Sequence, residues 1–583
     1  MSEQPGRARR ALEWLRDWSV ELTFLAATSA AGIWAGGRWL DTTGDPGVWL
    51  SFAQRMAQGE RLYRDLYIQY GPLSPLLFSA TGKPFGFSLT WYLLANWIPA
   101  IVAGLLLLAA ARPFLSRLDR LALVGLIVGL SVLAPRPARM ILPYSPAAVH
   151  ALCFSIGAFL LMPSRERGLW RAYAAGILAG LALCAKQEIG LAAILGLCAP
   201  LVTDGKKGVA WVFRCLVGFS AAASLGVVIV LGAGASLDSL RQDSHLWPMA
   251  SMPPEWRLLS RKVAGFATVD WREALFNSAW ELSKLILLVS LAGLCLAREK
   301  SKKRWWLTLG PLALLCAADL FRGRSLLPQV HPICLSMMAA FAVVLLAWFG
   351  KRRTGRDFFI GFGLFAGLVA LRTAVSRDLA SPYSGVSHFA TCLTWLLLLL
   401  CLVPDRLPGG SSSARWARLV WTLVLLPMAW YWAANGIESL REEGRVPVAT
   451  PRGDIFPDRR LGNLYARIGQ ELRPGERALF LPETSGLDVL FGVHDASPFL
   501  GHMPGWLDAH AEEVLIRRFE TRPPDVIVIF DRPAQEFGVE QFGRGFGLRL
   551  AAWIESRYRP VANLRGGAIF RPRETPVSSL PSR

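Results

Sequence analysis

The sequence predicts a mostly α-helical polytopic membrane protein of about thirteen transmembrane helices, followed by a soluble α/β domain. Three observations carry that prediction. Across 583 residues the chain is 53% hydrophobic and 18% charged, against roughly 25% charged in soluble domains. Several apolar runs approach or exceed ~18 residues, the length that crosses a bilayer. From about Gly436 the composition changes to that of a soluble domain. The predicted division is therefore 1–435 for the membrane part and 436–583 for the soluble part.

In chain order, the first span is expected over Val20–Trp34, and a large loop (36–90) follows it. The next spans are expected over Trp91–Ala111, Leu121–Leu133, Tyr144–Met162, Tyr173–Ala185, Ile189–Val202 and Val209–Gly232. A second long loop covers 233–277 and exceeds an ordinary connection. Further spans are expected over Leu282–Leu296, Trp305–Leu320, Val330–Phe349, Phe358–Leu371, Phe389–Val403 and Val420–Ala434. Many of the 23 tryptophans fall at run ends, as interfacial anchors do. In the soluble part, Arg459–Leu472, Leu507–Phe519 and Gly545–Tyr558 read as helices, and Ala478–Leu481 and Val526–Phe530 as buried strands.

The net charge of +20 would suit a nucleic-acid partner, but the cations sit in short loops between apolar runs. They are dense after spans two, four, six, eight and ten, which marks those loops as cytoplasmic. This places the N-terminus inside and both long loops and the soluble domain outside, with no nucleic-acid role. The nine cysteines fall almost wholly within apolar runs and read as small buried hydrophobes. No metal-ligand spacing or phosphate-binding glycine loop is present, so neither a metal nor a cofactor is expected.

The first large loop holds the leading candidate. Asp45-Pro46 opens an amphipathic segment whose apolar face is Val48, Trp49, Phe52, Ala53 and Met56, expected to lie along the membrane surface. Asp before Pro is a good helix N-cap, and a capped carboxylate is also held at a defined place. Asp41 and Asp65 are secondary acidic candidates. Cations at outward span ends form a second group: Arg136, Arg139, Lys186, Arg322, Arg324, Arg372 and Arg377. Singly each can snorkel, and Lys186 can pair with its neighbour Glu188; together they suit a phosphate. Gln187, beside Lys186, belongs with them. His150 and His331 lie in spans, where histidines are mostly packing residues.

The organisation resembles the GT-C fold of polyprenyl-phosphate-dependent glycosyltransferases, and within it family 39, the bacterial protein O-mannosyltransferases and lipid A aminoarabinose transferases. Two motifs carry the resemblance. Asp45-Pro46-Gly47-Val48-Trp49-Leu50 is similar to the family's acidic pair and aromatic helix, although Pro46 replaces the second acid. Tyr70-Gly71-Pro72-Leu73-Ser74-Pro75 is similar to the Pro-Pro-Leu run before the second span, without the basic residue that often precedes it. The resemblance implies a donor of polyprenyl-phosphate-linked sugar and a glycan, lipid or protein acceptor, meeting at the outer face of a bacterial inner membrane. It further implies inverting transfer with Asp45 as base, and donor phosphate held by Arg139, Lys186, Arg322 and Arg324. Tyr70, Gln187, His331 and Arg372 are secondary candidates. A transporter or flippase of lipid-linked saccharides, or a non-catalytic relative, would share the span pattern, but no internal repeat of the transporter kind is visible.

Overall fold

The computed structural model describes residues 7–40, 45–66, 70–133, 139–141, 145–162, 168–203, 205–237, 356–375, 430, 433–438, 445–483, 486–499, 501–504, 507, 509–534 and 539–573. The expected spans at 282–296, 305–320, 330–349 and 389–403, and most of that at 420–434, lie outside the described residues.

Among the described residues, the part before 445 is helical apart from its connecting segments. Its elements are α1 (Arg7–Ala35), α2 (Asp45–Ala57), α3 (Leu73–Gly82), α4 (Leu89–Ala111), α5 (Arg117–Ile127), α6 (Pro146–Leu160), α7 (Leu169–Ala185), α8 (Gln187–Leu197), α9 (Pro200–Thr203), α10 (Lys206–Gly232) and α11 (Arg356–Val375). Among the described residues, α4 and α10 are long and apolar enough to cross a membrane, while 146–160, 169–185, 187–202 and 357–369 are shorter apolar helices. Helix α1 starts well before the predicted Val20, because Arg7–Arg10 continue the helix rather than flanking it. The predicted third span is α5 followed by a π-helical turn over Val128–Val132. The predicted sixth breaks after Leu197 and resumes as α9.

Local chemistry sets several boundaries. Ser88 caps α4 by accepting from the Trp91 amide. Ser116 and Asp119 form a reciprocal capping box on α5. Helices α7 and α10 cross closely along small residues. A Cβ at Gly176 would collide with the Cys215 carbonyl, and one at Gly218 with the Tyr173 carbonyl. Such close approach gains van der Waals contact where apolar lipid supplies no hydrophobic drive. The described cysteines, Cys153, Cys184, Cys198 and Cys215, are free thiols.

Contacts sort the helix ends. The N-terminal half of α1 meets the end of α4 and the start of α5: Arg120 Nη1 is 3.0 Å from Glu21 Oε1, Arg117 Nε donates to Ser19 Oγ at 2.9 Å, and Arg112 lies over the Trp18 ring. The opposite ends meet the segment that leads into the C-terminal sheet. Arg38 lies over the Phe456 ring, the Leu89 amide donates to the Arg452 carbonyl, and Arg452 Nη1 donates to the Gly86 carbonyl at 2.7 Å. The cluster of Arg112, Arg117 and Arg120 therefore lies at the bundle end away from the C-terminal sheet.

After residue 445 the chain forms a mixed sheet flanked by α12 (Arg459–Glu471), α13 (Leu487–Phe491), α14 (Ala509–Thr521) and α15 (Leu548–Arg557). Its strands are β1 (Arg477–Leu481), β2 (His494–Asp495), β3 (Val526–Phe530), β4 (Tyr558–Leu564) and β5 (Gly567–Pro572), in the order β2-β1-β3-β5-β4. Strand β1 pairs parallel with β2 and β3, while β3–β5 and β5–β4 are antiparallel. The two central strands are the predicted ones, and their apolar runs are buried on both faces, as central parallel strands require. The closing hairpin β4–β5 was not predicted; the helix expected to reach Tyr558 stops one residue short, and Tyr558 begins β4.

Helix α2 is largely enclosed. Val48, Trp49, Leu50, Ser51, Phe52 and Ala53 are all buried, and Arg55 is only 4% exposed. The face that carries Ser51 and Arg55 is covered by the C-terminal unit, whose carboxylates match its polar groups.

Candidate functional site

The first large loop and the α7–α8 break meet at one place, and Lys186 is its centre. Lys186 ends α7 and caps α8 in extended conformation, φ −148° and ψ 112°. The backbone turns there, so a cation in the middle of an apolar stretch is presented at a helix start. The residue is 4% exposed. Its Nζ lies 3.4 Å from Ser145 Oγ, 3.6 Å from Glu188 Oε1 and 4.7 Å from the Tyr70 ring centroid. The self-pairing with Glu188 is thus present, alongside a cation–π contact and a hydroxyl.

The Tyr70-Gly71-Pro72 motif is docked against this break. A Cβ on Gly71 would overlap the Cys184 carbonyl, two residues before Lys186, so only glycine allows the approach. The Tyr70 ring stacks on Trp49 at 5.2 Å between centroids, and the Tyr63 hydroxyl donates to the Tyr70 carbonyl. Tyr63 is buried and adopts φ +60°, an uncommon conformation for a non-glycine residue, and its amide donates to the Leu66 carbonyl at 2.8 Å. Trp49 lies one helical turn after Asp45, the first residue of α2.

Helix starts gather around the ammonium. α8 begins at Lys186, α6 at Ser145, and α3 at Pro72, next to the docked Gly71. Each helix start carries a partial positive charge of roughly +0.5. Together with Lys186 they favour an oxyanion such as a phosphate. Ser74, in the first turn of α3, lies 3.0 Å from His150 Nδ1, so this histidine joins α3 to α6. Arg139 is buried in the segment 139–141 that leads toward Ser145.

The other candidates fall as follows. Gln187 is half-buried at the first position of α8. Asp65 serves its own turn: its carboxylate pairs with Arg64 at 2.6 Å and accepts the Arg61 amide at 2.9 Å. The bond from Arg64 holds its pKa below the usual range. Asp41, Arg136, Arg322, Arg324, His331 and Arg377 lie outside the described residues, as do the side chains of Asp45 and Arg372. Among the described residues, no group of three or more His, Cys, Asp or Glu could hold a metal ion.

A second cluster, missed in the sequence, lies on the other face of α2. Arg55 donates to Glu60 Oε2 at 2.7 Å and to the Ser497 carbonyl at 2.9 Å, and lies 3.5 Å from Asp495 Oδ2. Ser51 Oγ donates to Asp488 Oδ2 at 2.6 Å. Ser497 in turn donates its amide to Asp495 Oδ1 at 2.9 Å and meets His502 Nε2 at 2.7 Å. Burial, reinforced by the Asp495 charge, holds the Asp488 pKa well above the carboxylate range. Burial also raises Asp495 to about 6, although Arg55 opposes the rise. Burial alone would weaken the Arg55 proton, but Asp495 and Glu60 more than restore it. Burial lowers His502 to about 4, so it is neutral. The partners are more than 400 residues apart in the chain, and no local pattern announces them.

No family model matches the chain, and no curated protein does. Among solved structures, it is similar to ArnT from Cupriavidus metallidurans bound to undecaprenyl phosphate, at 14% identity and TM-score 0.41, covering 95% of this chain and 98% of that one. It is also similar to the oligosaccharyltransferase of Archaeoglobus fulgidus in the apo form, at 13% identity and TM-score 0.47, covering 94% and 73%. A third is the arabinofuranosyltransferase AftD from Mycobacteria, at 12% identity and TM-score 0.43, covering 95% and 40%. These neighbours are glycosyltransferases of the GT-C fold, the fold that the loop motifs resemble.

Proposed function

We propose that the protein is an integral membrane glycosyltransferase. It moves a sugar from a polyprenyl-phosphate donor to an acceptor at the outer face of the membrane. The observation that carries this reading is the buried Lys186 at the meeting of three helix starts, beside the loop that begins at Asp45. A buried ammonium among the positive ends of helices is suited to a phosphate whose negative charge grows as it leaves.

In the reaction, an acceptor oxygen attacks the anomeric carbon from the face opposite the phosphate. The bond between that carbon and the phosphate oxygen breaks, and the lipid phosphate leaves with the electron pair. The acceptor proton goes to the Asp45 carboxylate. A carboxylate of ordinary pKa near ~4 is a weak base toward a hydroxyl, so proton transfer is late, after most of the new bond has formed. Lys186 stabilises the departing phosphate with Arg139, and Arg322 and Arg324 complete that role. The configuration at the anomeric carbon inverts.

Undecaprenyl phosphate serves as the probe for this reading. The purified full chain in lipid nanodiscs is expected to bind it, and Lys186→Met to weaken binding about tenfold or more, the loss expected for one charge-assisted contact. Equal binding by wild type and Lys186→Met would contradict the phosphate role.

A further inference from the structure

We infer that Arg55 is a positioning residue, through which the C-terminal unit holds the catalytic-loop helix α2 against the Lys186 site. This deepens the function proposed above, since α2 is the helix that begins at Asp45. The inference rests on the two faces of α2. Trp49 packs on Tyr70, which in turn lies against the Lys186 ammonium. Ser51 and Arg55 are four residues apart, one turn, on a face about 120–160° around the helix from Trp49 at 100° per residue. Both are buried, and both are bonded to the C-terminal unit.

The contact is too specific and too close to be incidental packing. The Arg55 guanidinium is shared between Glu60, which ends the α2 turn, and Asp495 with the Ser497 carbonyl, which belong to the β2 edge. It therefore ties the end of α2 to the sheet. Nearer the start of α2, Gly486 lies against Gly47, and a Cβ at 486 would come within 2.5 Å of the Gly47 Cα. Asp488, two residues on, holds Ser51. The other carboxylate oxygen of Asp488 is buried without a hydrogen-bond partner. An ionised carboxylate so placed would be costly, and protonation relieves it. A buried arginine loses several favourable contacts at once if the two units separate, because each partner is left buried and unpaired. The C-terminal unit thus acts on the site without touching the reacting atoms: it fixes the helix from which Asp45 and Trp49 arise.

The test combines amide hydrogen exchange with undecaprenyl phosphate binding on the full chain in nanodiscs. Arg55→Met is expected to speed exchange of the α2 amides by about tenfold or more through local opening. Amides in β1 and β3 are expected to keep their protection, and the lipid to bind severalfold more weakly. Arg55→Lys keeps the charge but not the fork, and is expected to fall between. Ser51→Ala, a milder change at the same contact, is expected to loosen α2 in the same direction. Unchanged α2 exchange in both Arg55→Met and Ser51→Ala would overturn the inference. So would protection lost equally across β1 and β3, or a loosened α2 with unchanged lipid affinity in a protein whose Lys186→Met variant does lose lipid. If Lys186→Met leaves lipid binding intact, the phosphate reading fails on its own, while the exchange of α2 still decides whether the clamp exists.

Discussion

At the scale of single residues, the site depends on groups that no other side chain reproduces. Lys186 supplies charge, but its place comes from the backbone break and from the Tyr70 face. A change that keeps charge but alters shape is therefore not conservative. Lys186→Arg is expected to retain part of the lipid affinity and lose at least about tenfold in transfer rate, because a planar fork cannot occupy the same seat over the ring. Steady-state transfer kinetics check this. Gly71 is a different kind of requirement. Gly71→Ala must displace either the Tyr70 segment or the end of α7. The expected cost is about 1–3 kcal/mol, as for overpacking elsewhere, measured as a lower thermal midpoint together with reduced lipid affinity. Sequence patterns pointed to Lys186 because it interrupts apolar residues. They did not point to Ser145, although Ser145-Pro146 has the cap-and-proline form of a helix start, nor to Tyr63, whose role depends on a backbone conformation that composition does not report.

At the scale of elements, α2 shows what could and could not be read ahead of the structure. Its bounds follow from Asp45-Pro46 and from helical periodicity, and they were predicted closely. Its surroundings were not, since the carboxylates that cover Arg55 come from a segment remote in sequence. For the same reason the strands β1 and β3 were legible as short apolar runs, whereas the edge strand β2 and the hairpin β4–β5 carry mixed burial and no such run. The covered carboxylates also make stability depend on pH in a defined direction. Asp495 has a folded pKa of about 6, above its unfolded value near ~3.9. Between those values the folded protein binds the extra proton, so this group's contribution falls as pH rises and is lost above about 6. Wild type is therefore expected to lose stability relative to Asp495→Asn as pH rises from about 4 to about 6. Thermal midpoints of the pair across that window check it; a constant difference would show that Asp495 titrates normally.

At the scale of the whole molecule, the described contacts place the Arg112–Arg120 region and the C-terminal sheet at opposite ends of the bundle. The proposed function puts the cation-rich loops inside and the C-terminal unit with the Lys186 site on the outer side. Single cysteines at exposed positions check this in sealed spheroplasts. Gln470→Cys is expected to react with a membrane-impermeant maleimide, and Lys207→Cys to react only after the membrane is permeabilised. Transfer with Asp45 as base and lipid phosphate as leaving group is open to a direct assay. Wild type and Asp45→Asn, each in nanodiscs, are given undecaprenyl-phosphate-linked hexoses and pentoses with acceptor from the cell envelope, and both bound lipid and transferred sugar are followed. Asp45→Asn is expected to bind the lipid as wild type does and to transfer no sugar. Equal transfer by the two proteins, or movement of the lipid across the membrane by wild type with no transfer, would contradict it.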